Sequence, residues 1–155
     1  MHRRVLRPAR TMPHLVILYT GNLDAVSDMT ALCRALADAM LAVTDEGGRQ
    51  VFPTGGTRVL AYPAPHFAGA DGGAAGRAAG LGGDYGFVYL NLRMGRGRSA
   101  AVHAAAGRAL EAVARAHFAP LLASRPVGLT LQIDEGPEVF DAKNSSLHPL
   151  FTPRG

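Results

Sequence analysis

Apolar residues follow a pattern that occurs twice along the chain. Residues 15–20 are almost wholly apolar and include the β-branched Val16 and Ile17, which predicts a short strand covered on both faces. Gly21-Asn22 turns the chain. Asp24 or Ser27 can then cap a helix whose apolar positions, Met29, Leu32, Cys33, Leu36, Met40 and Val43, recur at spacings of three and four. That helix ends before Gly47-Gly48. The turn-rich stretch Val51-Phe52-Pro53-Thr54-Gly55-Gly56 leads into a second strand near residues 57–62, with Arg58 close to its start.

The second half repeats the order. Residues 84–93 alternate aromatic or polar side chains with Val88, Leu90 and Leu92, as a strand does. Gly95-Arg96-Gly97-Arg98-Ser99 turns into a long alanine-rich helix, with Ser99 as cap and Val102, Ala106, Leu110, Val113, His117 and Leu121 along one side. Pro126 marks its exit. Residues 128–135 place Leu129, Leu131 and Ile133 on one face of a fourth strand and Thr130, Gln132 and Asp134 on the other. Between the halves, residues 69–83 are low-complexity Gly and Ala without the Gly-Lys-Ser/Thr ending of a phosphate loop, and read as a flexible surface insertion.

Strand, helix, strand in each half is a βαβ unit, which sets its two strands parallel through a right-handed crossover. The expected fold is α/β (α+β): two βαβ units forming one four-stranded mixed sheet with both helices on one face. The other face, carrying Leu and Ile positions, then needs a cover that a chain this short does not contain, so self-association is expected.

A length of 155 residues with 48% hydrophobic composition suits a single domain, assigned to residues 12–155. Residues 1–11 hold a proline and lack apolar periodicity. They read as a disordered leader or an over-extended gene start. No apolar run reaches the roughly 18 residues that cross a bilayer, and the N-terminal segment lacks the apolar stretch of a signal peptide, so a cytoplasmic protein without a membrane partner is expected. The net charge of +4 invites a nucleic-acid reading until its location is considered. Arg3, Arg4, Arg7 and Arg10 lie in the leader, leaving 16 − 4 = 12 basic against 12 acidic residues in 12–155. A neutral body without a basic face gives no nucleic-acid signal.

Candidate chemistry is sparse. The single Cys33 falls on an apolar helix face and reads as a small buried hydrophobe. His14, His66, His103, His117 and His148 are scattered and make no metal set, and no cofactor is called for. No Ser-His-Asp or Cys-His arrangement can be justified. The spacing Gly95-x-Gly97-x-x-Ala100 meets a loose dinucleotide fingerprint, but the acid expected about 20 residues on at a strand end is missing. The same strand-to-helix turn instead offers free backbone N–H groups, a helix dipole and two arginines to an oxyanion or carboxylate. Arg58 reads either as a solvated strand-end charge or as a second fork for a di- or tricarboxylate.

One stretch could carry catalysis. If Met12 is the first residue made and is then removed, Pro13 becomes a free secondary amine, a base that no internal residue supplies; inside a chain its nitrogen is a planar amide and cannot act so.

Taken in order, Met12-Pro13-His14, Phe52-Pro53, Gly56-Thr57-Arg58, Asp84-Tyr85-Gly86-Phe87-Val88, Gly95-Arg96-Gly97-Arg98-Ser99, the run His117 to Arg125, and Lys143 with Leu147-His148-Pro149 resemble the 5-carboxymethyl-2-hydroxymuconate Δ-isomerase family of the tautomerase superfamily. The resemblance runs from Pro13 to about Phe151. It implies a tautomerase-like homotrimer, Pro13 as acid-base catalyst, Arg58 and Arg98 as binders of substrate carboxylates, and no metal or organic cofactor. It implies enol/keto tautomerisation of a polycarboxylate in the meta-cleavage catabolism of 4-hydroxyphenylacetate. A related tautomerase of other specificity, or a noncatalytic trimer if Pro13 is not N-terminal, are the alternatives. The chain departs from the family in having Leu18 where a glutamate is frequent, Ser145-Ser146 where two asparagines are frequent, and a longer glycine-rich insertion, which lies where substrate access could be altered.

Overall fold

The computed structural model describes residues 13–151; the segment 1–11, read above as a leader or an over-extended gene start, lies outside the described residues, as does Met12. Seven elements of regular structure, apart from two short 3-10 turns, follow in order: β1 His14–Thr20, α1 Met29–Leu41, β2 Arg58–Ala64, α2 Ala74–Ala78, β3 Gly86–Gly95, α3 Ala100–Ser124 and β4 Val127–Gly136. They form one four-stranded sheet in the order β2-β1-β3-β4. β1 runs parallel to β2 and β3 parallel to β4, while β1 and β3 pair antiparallel in the middle, so the two βαβ units meet as expected.

Strand alternation sorts the side chains. Leu15, Ile17 and Tyr19 of β1 and Val88, Leu90, Leu92 and Met94 of β3 share one face and are buried under α1 and α3. α1 contributes Met29, Leu32, Leu36 and Met40 to this core, and the loop before β2 contributes Phe52. Leu129, Leu131 and Ile133 of β4 pack against the same cluster. The open face is therefore not the Leu and Ile face of β4: it carries Leu18, Leu60, Tyr62 and Phe87, all 40–50% exposed.

Local chemistry sets the ends of the helices. Ser99 caps α3, accepting from the Val102 N–H at 3.2 Å. The cap of α1 is Asp28, which accepts from the Ala31 N–H at 2.9 Å, and neither Asp24 nor Ser27. Ser27 is taken elsewhere: its Oγ lies 2.8 Å from Nε2 of His117 on α3. The buried stripe of α3 is Val102, Ala106, Leu110, Ala114 and Phe118, with Val113, His117 and Leu121 only flanking it. Fully buried Phe118 turns the second half of the helix by one position because its ring offers more apolar area than the His117 imidazole.

The Ser27–His117 contact has a pH consequence. Burial pushes His117 below the usual value of 6.5, partly opposed by the Asp28 carboxylate. The fold thus disfavours the imidazolium, and the unfolded chain binds the extra proton as pH falls below 6.5. Stability is expected to fall in that window and to level off once His117 is protonated in the fold as well. His14, also held down, acts in the same direction. In urea unfolding between about pH 7 and about pH 5, His117→Gln should show a shallower decline of the midpoint than the parent chain. Equal slopes would exclude His117 as a source.

The glycine-rich insertion is ordered. The Asp71 carboxylate accepts from the N–H groups of Gly73 and Ala75 and from the Tyr85 hydroxyl at 2.9–3.0 Å, and the Gly76 N–H donates to that same hydroxyl at 2.8 Å. A side chain at position 76 would meet the carbonyl oxygen of Gly82 at 2.2 Å, so the close approach of the two backbones requires glycine. Because Ala64 pairs with Thr20 and Val88 with Tyr19, this insertion leaves and rejoins the sheet at the C-terminal end of β1, the end remote from Pro13. It does not stand over the Pro13 end within the protomer.

Candidate active site

Pro13 is buried at the start of β1, and its carbonyl accepts the Arg58 N–H at 3.2 Å. The ladders place what surrounds it. His14 lies opposite Arg58 on β2 and opposite Arg93 on β3, and Arg93 in turn lies opposite Asp134 on β4. One row, Arg58–His14–Arg93–Asp134, therefore crosses the open face of the sheet directly beside Pro13. Burial first, and then the Arg58 and Arg93 guanidinium charges, push the His14 imidazole below its usual value.

Arg98 reaches the same end of the molecule from the other side. Its loop leaves β3 at Gly95, two positions past Arg93, and Gly97 has φ +110°, a conformation open to glycine, which lets the chain swing from strand into α3. The half-buried guanidinium has its Cζ 5.3 Å from the ring centre of the core residue Phe52. It donates long hydrogen bonds to the carbonyls of Val51, at 3.4 Å, and Gly95, at 3.5 Å. Burial pushes it below the usual arginine value, and the Glu135 carboxylate acts in the opposite direction. Two long bonds leave most of the five-donor fork unsatisfied, so it can still grip an anion.

Pro13, Arg58 and Arg98 thus come to one end of the sheet, although the two arginines do not share a face: Arg58 is on the open side and Arg98 against Phe52. Arg93, unremarked in its alternating strand, belongs to this neighbourhood, as does His14, which the sequence offers only as one of several scattered histidines and as part of the motif around Pro13. Their signal is the pairing of β1 with β3, which joins the two halves and leaves no local pattern. A cavity of about 360 Å³ opens beside them, lined also by Asp134, Glu138, Asp141 and Lys143.

The remaining candidates sit elsewhere. Leu18 faces Tyr62 and Tyr89 on the open sheet, five residues past Pro13. Ser145 accepts from the Leu147 and His148 N–H groups and shapes the C-terminal turn. The Cys33 thiol is half-buried and pushed up by burial, which disfavours the thiolate. His103 lies 2.7 Å from Glu135 between α3 and β4. No group of three or more His, Cys, Asp or Glu suited to a metal gathers among the described residues, and no helix there is long and apolar enough to cross a membrane.

The family model described as 5-carboxymethyl-2-hydroxymuconate isomerase matches residues 13–151. The chain is 29% identical over 140 residues to 5-carboxymethyl-2-hydroxymuconate Delta-isomerase of Escherichia coli, covering 90% of this chain and 99% of that protein. A solved 5-carboxymethyl-2-hydroxymuconate delta-isomerase is 68% identical and superposes with a TM-score of 0.90 over 94% of this chain and 97% of its own. A 5-carboxymethyl-2-hydroxymuconate isomerase from Deinococcus radiodurans R1 is 33% identical, with a TM-score of 0.76 over 93% of this chain and 97% of its own.

Proposed function

The chain belongs to the 5-carboxymethyl-2-hydroxymuconate isomerase family, with a tautomerase-like fold, and from that premise we propose that it shifts a double bond in 5-carboxymethyl-2-hydroxymuconate to give 5-oxopent-3-ene-1,2,5-tricarboxylate, with the free amine of Pro13 as its acid-base catalyst. The observation that carries the proline assignment is the burial of Pro13 beside a row holding Arg58 and Arg93. Loss of water and adjacent positive charge both disfavour an ammonium group, as they disfavour the imidazolium of His14 one residue on. An amine held neutral near pH 7 takes the proton from the 2-hydroxyl or its conjugated position and returns it to carbon further along the chain. The proposal requires a mature chain that begins at Pro13, a domain that starts there, and a cytoplasmic setting for this catabolic step.

Arg58 and Arg98 bind carboxylates in this reading and stabilise dienolate charge as it moves along the substrate. Arg98 adds the positive end of α3, next to the Ser99 cap. Replacing Arg98 with Ala removes a charge-assisted fork and should lower kcat/KM roughly 10- to 100-fold. Following the absorbance of the conjugated substrate tests this, with thermal unfolding to verify that loss of the Phe52 contact has not unfolded the chain. Unchanged kinetics would remove Arg98 from the site.

A homotrimer completes the proposal. Leu18, Leu60, Tyr62 and Phe87 leave the open face of the sheet apolar and uncovered in one protomer, and copies of the same chain packing face to face would bury it.

A further inference from the structure

Resting on the isomerase reading, we propose that Arg93 is a specificity-determining residue that takes a third carboxylate of the substrate and so selects a tricarboxylate over a dicarboxylate. Pro13, Arg58 and Arg98 leave one carboxylate of 5-carboxymethyl-2-hydroxymuconate without a cation. Arg93 stands where one is needed. It is in register with His14, and His14 with Arg58, so the two arginines flank the residue next to Pro13 on one face of adjacent strands. With strands about 4.8 Å apart their Cα atoms lie roughly 10 Å from each other, a span that a six-carbon conjugated diacid with a carboxymethyl arm can bridge.

Arg93 is exposed, and its guanidinium is anchored at one nitrogen. Its Nε donates to Oδ1 of Asn91 at 2.7 Å, and Asn91, only 2% exposed, donates through Nδ2 to Oδ2 of Asp134 at 2.8 Å. A buried amide placed on the strand interior would be costly without such partners, and here it fixes the guanidinium plane through one nitrogen. The terminal amino edge, the part that grips carboxylate in two parallel bonds, is left for a ligand. The cavity that Arg93 lines also bears Asp134, held by Asn91, Glu138 and Asp141, the last paired with Lys143 at 2.9 Å. A carboxylate entering this cavity meets Arg93 and His14 and is opposed by the acids, so its place is at the guanidinium. Burial first, and then both guanidinium charges, hold His14 down, in keeping with the places of Arg58 and Arg93 on either side of it.

The test uses the chain beginning at Pro13, in parent, Arg93→Gln and Arg93→Lys forms, with 5-carboxymethyl-2-hydroxymuconate and with 2-hydroxymuconate, which lacks the carboxymethyl arm. The dicarboxylate is measured as a substrate or, where it is not turned over, as a competitive inhibitor. The preference for the tricarboxylate should fall about tenfold in Arg93→Gln, through KM rather than kcat, and recover in large part in Arg93→Lys. An equal loss for both compounds, or none for either, overturns the assignment while leaving the isomerase reading intact. A parent chain that neither turns over nor binds the tricarboxylate overturns both.

Discussion

A chain that begins at Pro13 should isomerise 5-carboxymethyl-2-hydroxymuconate, and the same chain with residues 1–12 still attached should do so about 10³-fold more slowly or worse. The magnitude is that of losing a positioned general base, roughly 10² to 10⁴ in rate. The cause is electronic rather than steric. In the longer chain the Pro13 nitrogen shares its lone pair with the carbonyl of Met12 and has no proton affinity to offer. The shorter chain presents a secondary amine in a buried position, next to a histidine whose charged form is disfavoured by burial and by Arg58 and Arg93. The sign of the pH dependence follows. The neutral amine is the working form, so kcat/KM should decline as pH falls through its pKa, and that pKa should lie below the ordinary range for an α-amino group. Intact mass identifies the two chain forms and initial rates compare them. Equal rates would end proline catalysis for this protein and leave its fold untouched.

Much of this arrangement is legible in the sequence because it is local. The apolar run 15–20, the alternation from Val88 to Leu92 and the i, i+4 series from Val102 to Leu110 each specify an element without help from the rest of the chain. The misread positions are those where distant residues intervene. Ser27 is a good cap by composition, yet its hydroxyl is engaged with His117, 90 positions away, and Asp28 takes the role. The insertion 69–83 has the composition of a flexible linker, but one carboxylate, Asp71, gathers three donors and Tyr85 locks them, which composition does not reveal. At the site, Gly95 to Ser99 announces an anion-binding turn in sequence, whereas the row Arg58–His14–Arg93 exists only because β1 and β3 pair antiparallel. A guanidinium in an alternating strand looks like any solvated charge until its register is known.

The open face of the sheet carries the other large expected effect. Leu18→Lys should leave the protomer folded and abolish its association, a cation being the charge for which the family, with its frequent glutamate here, provides no counterpart. Leu18 is 48% exposed in one protomer, on a central strand between Tyr62 and Tyr89, so an ammonium group there meets solvent and costs the isolated fold little. In a symmetric assembly that buries this face, the same substitution places equivalent ammonium groups from every copy in an apolar interior, with no acid in register at that level. Desolvation then costs several kcal/mol for each charge, enough to outweigh the gain from burying the leucines. Sedimentation equilibrium should report the trimer mass for the parent chain and the protomer mass for Leu18→Lys, with unchanged far-ultraviolet circular dichroism. Activity need not vanish for simple assembly reasons alone, since Pro13, Arg58, Arg93 and Arg98 all reside in one protomer at the end of the sheet remote from the insertion. The fraction retained by the dissociated variant therefore measures how much of the site a neighbouring copy supplies. A Leu18→Lys protein that still sediments as a trimer would mean that this face is not the contact, and that the copies meet through another surface.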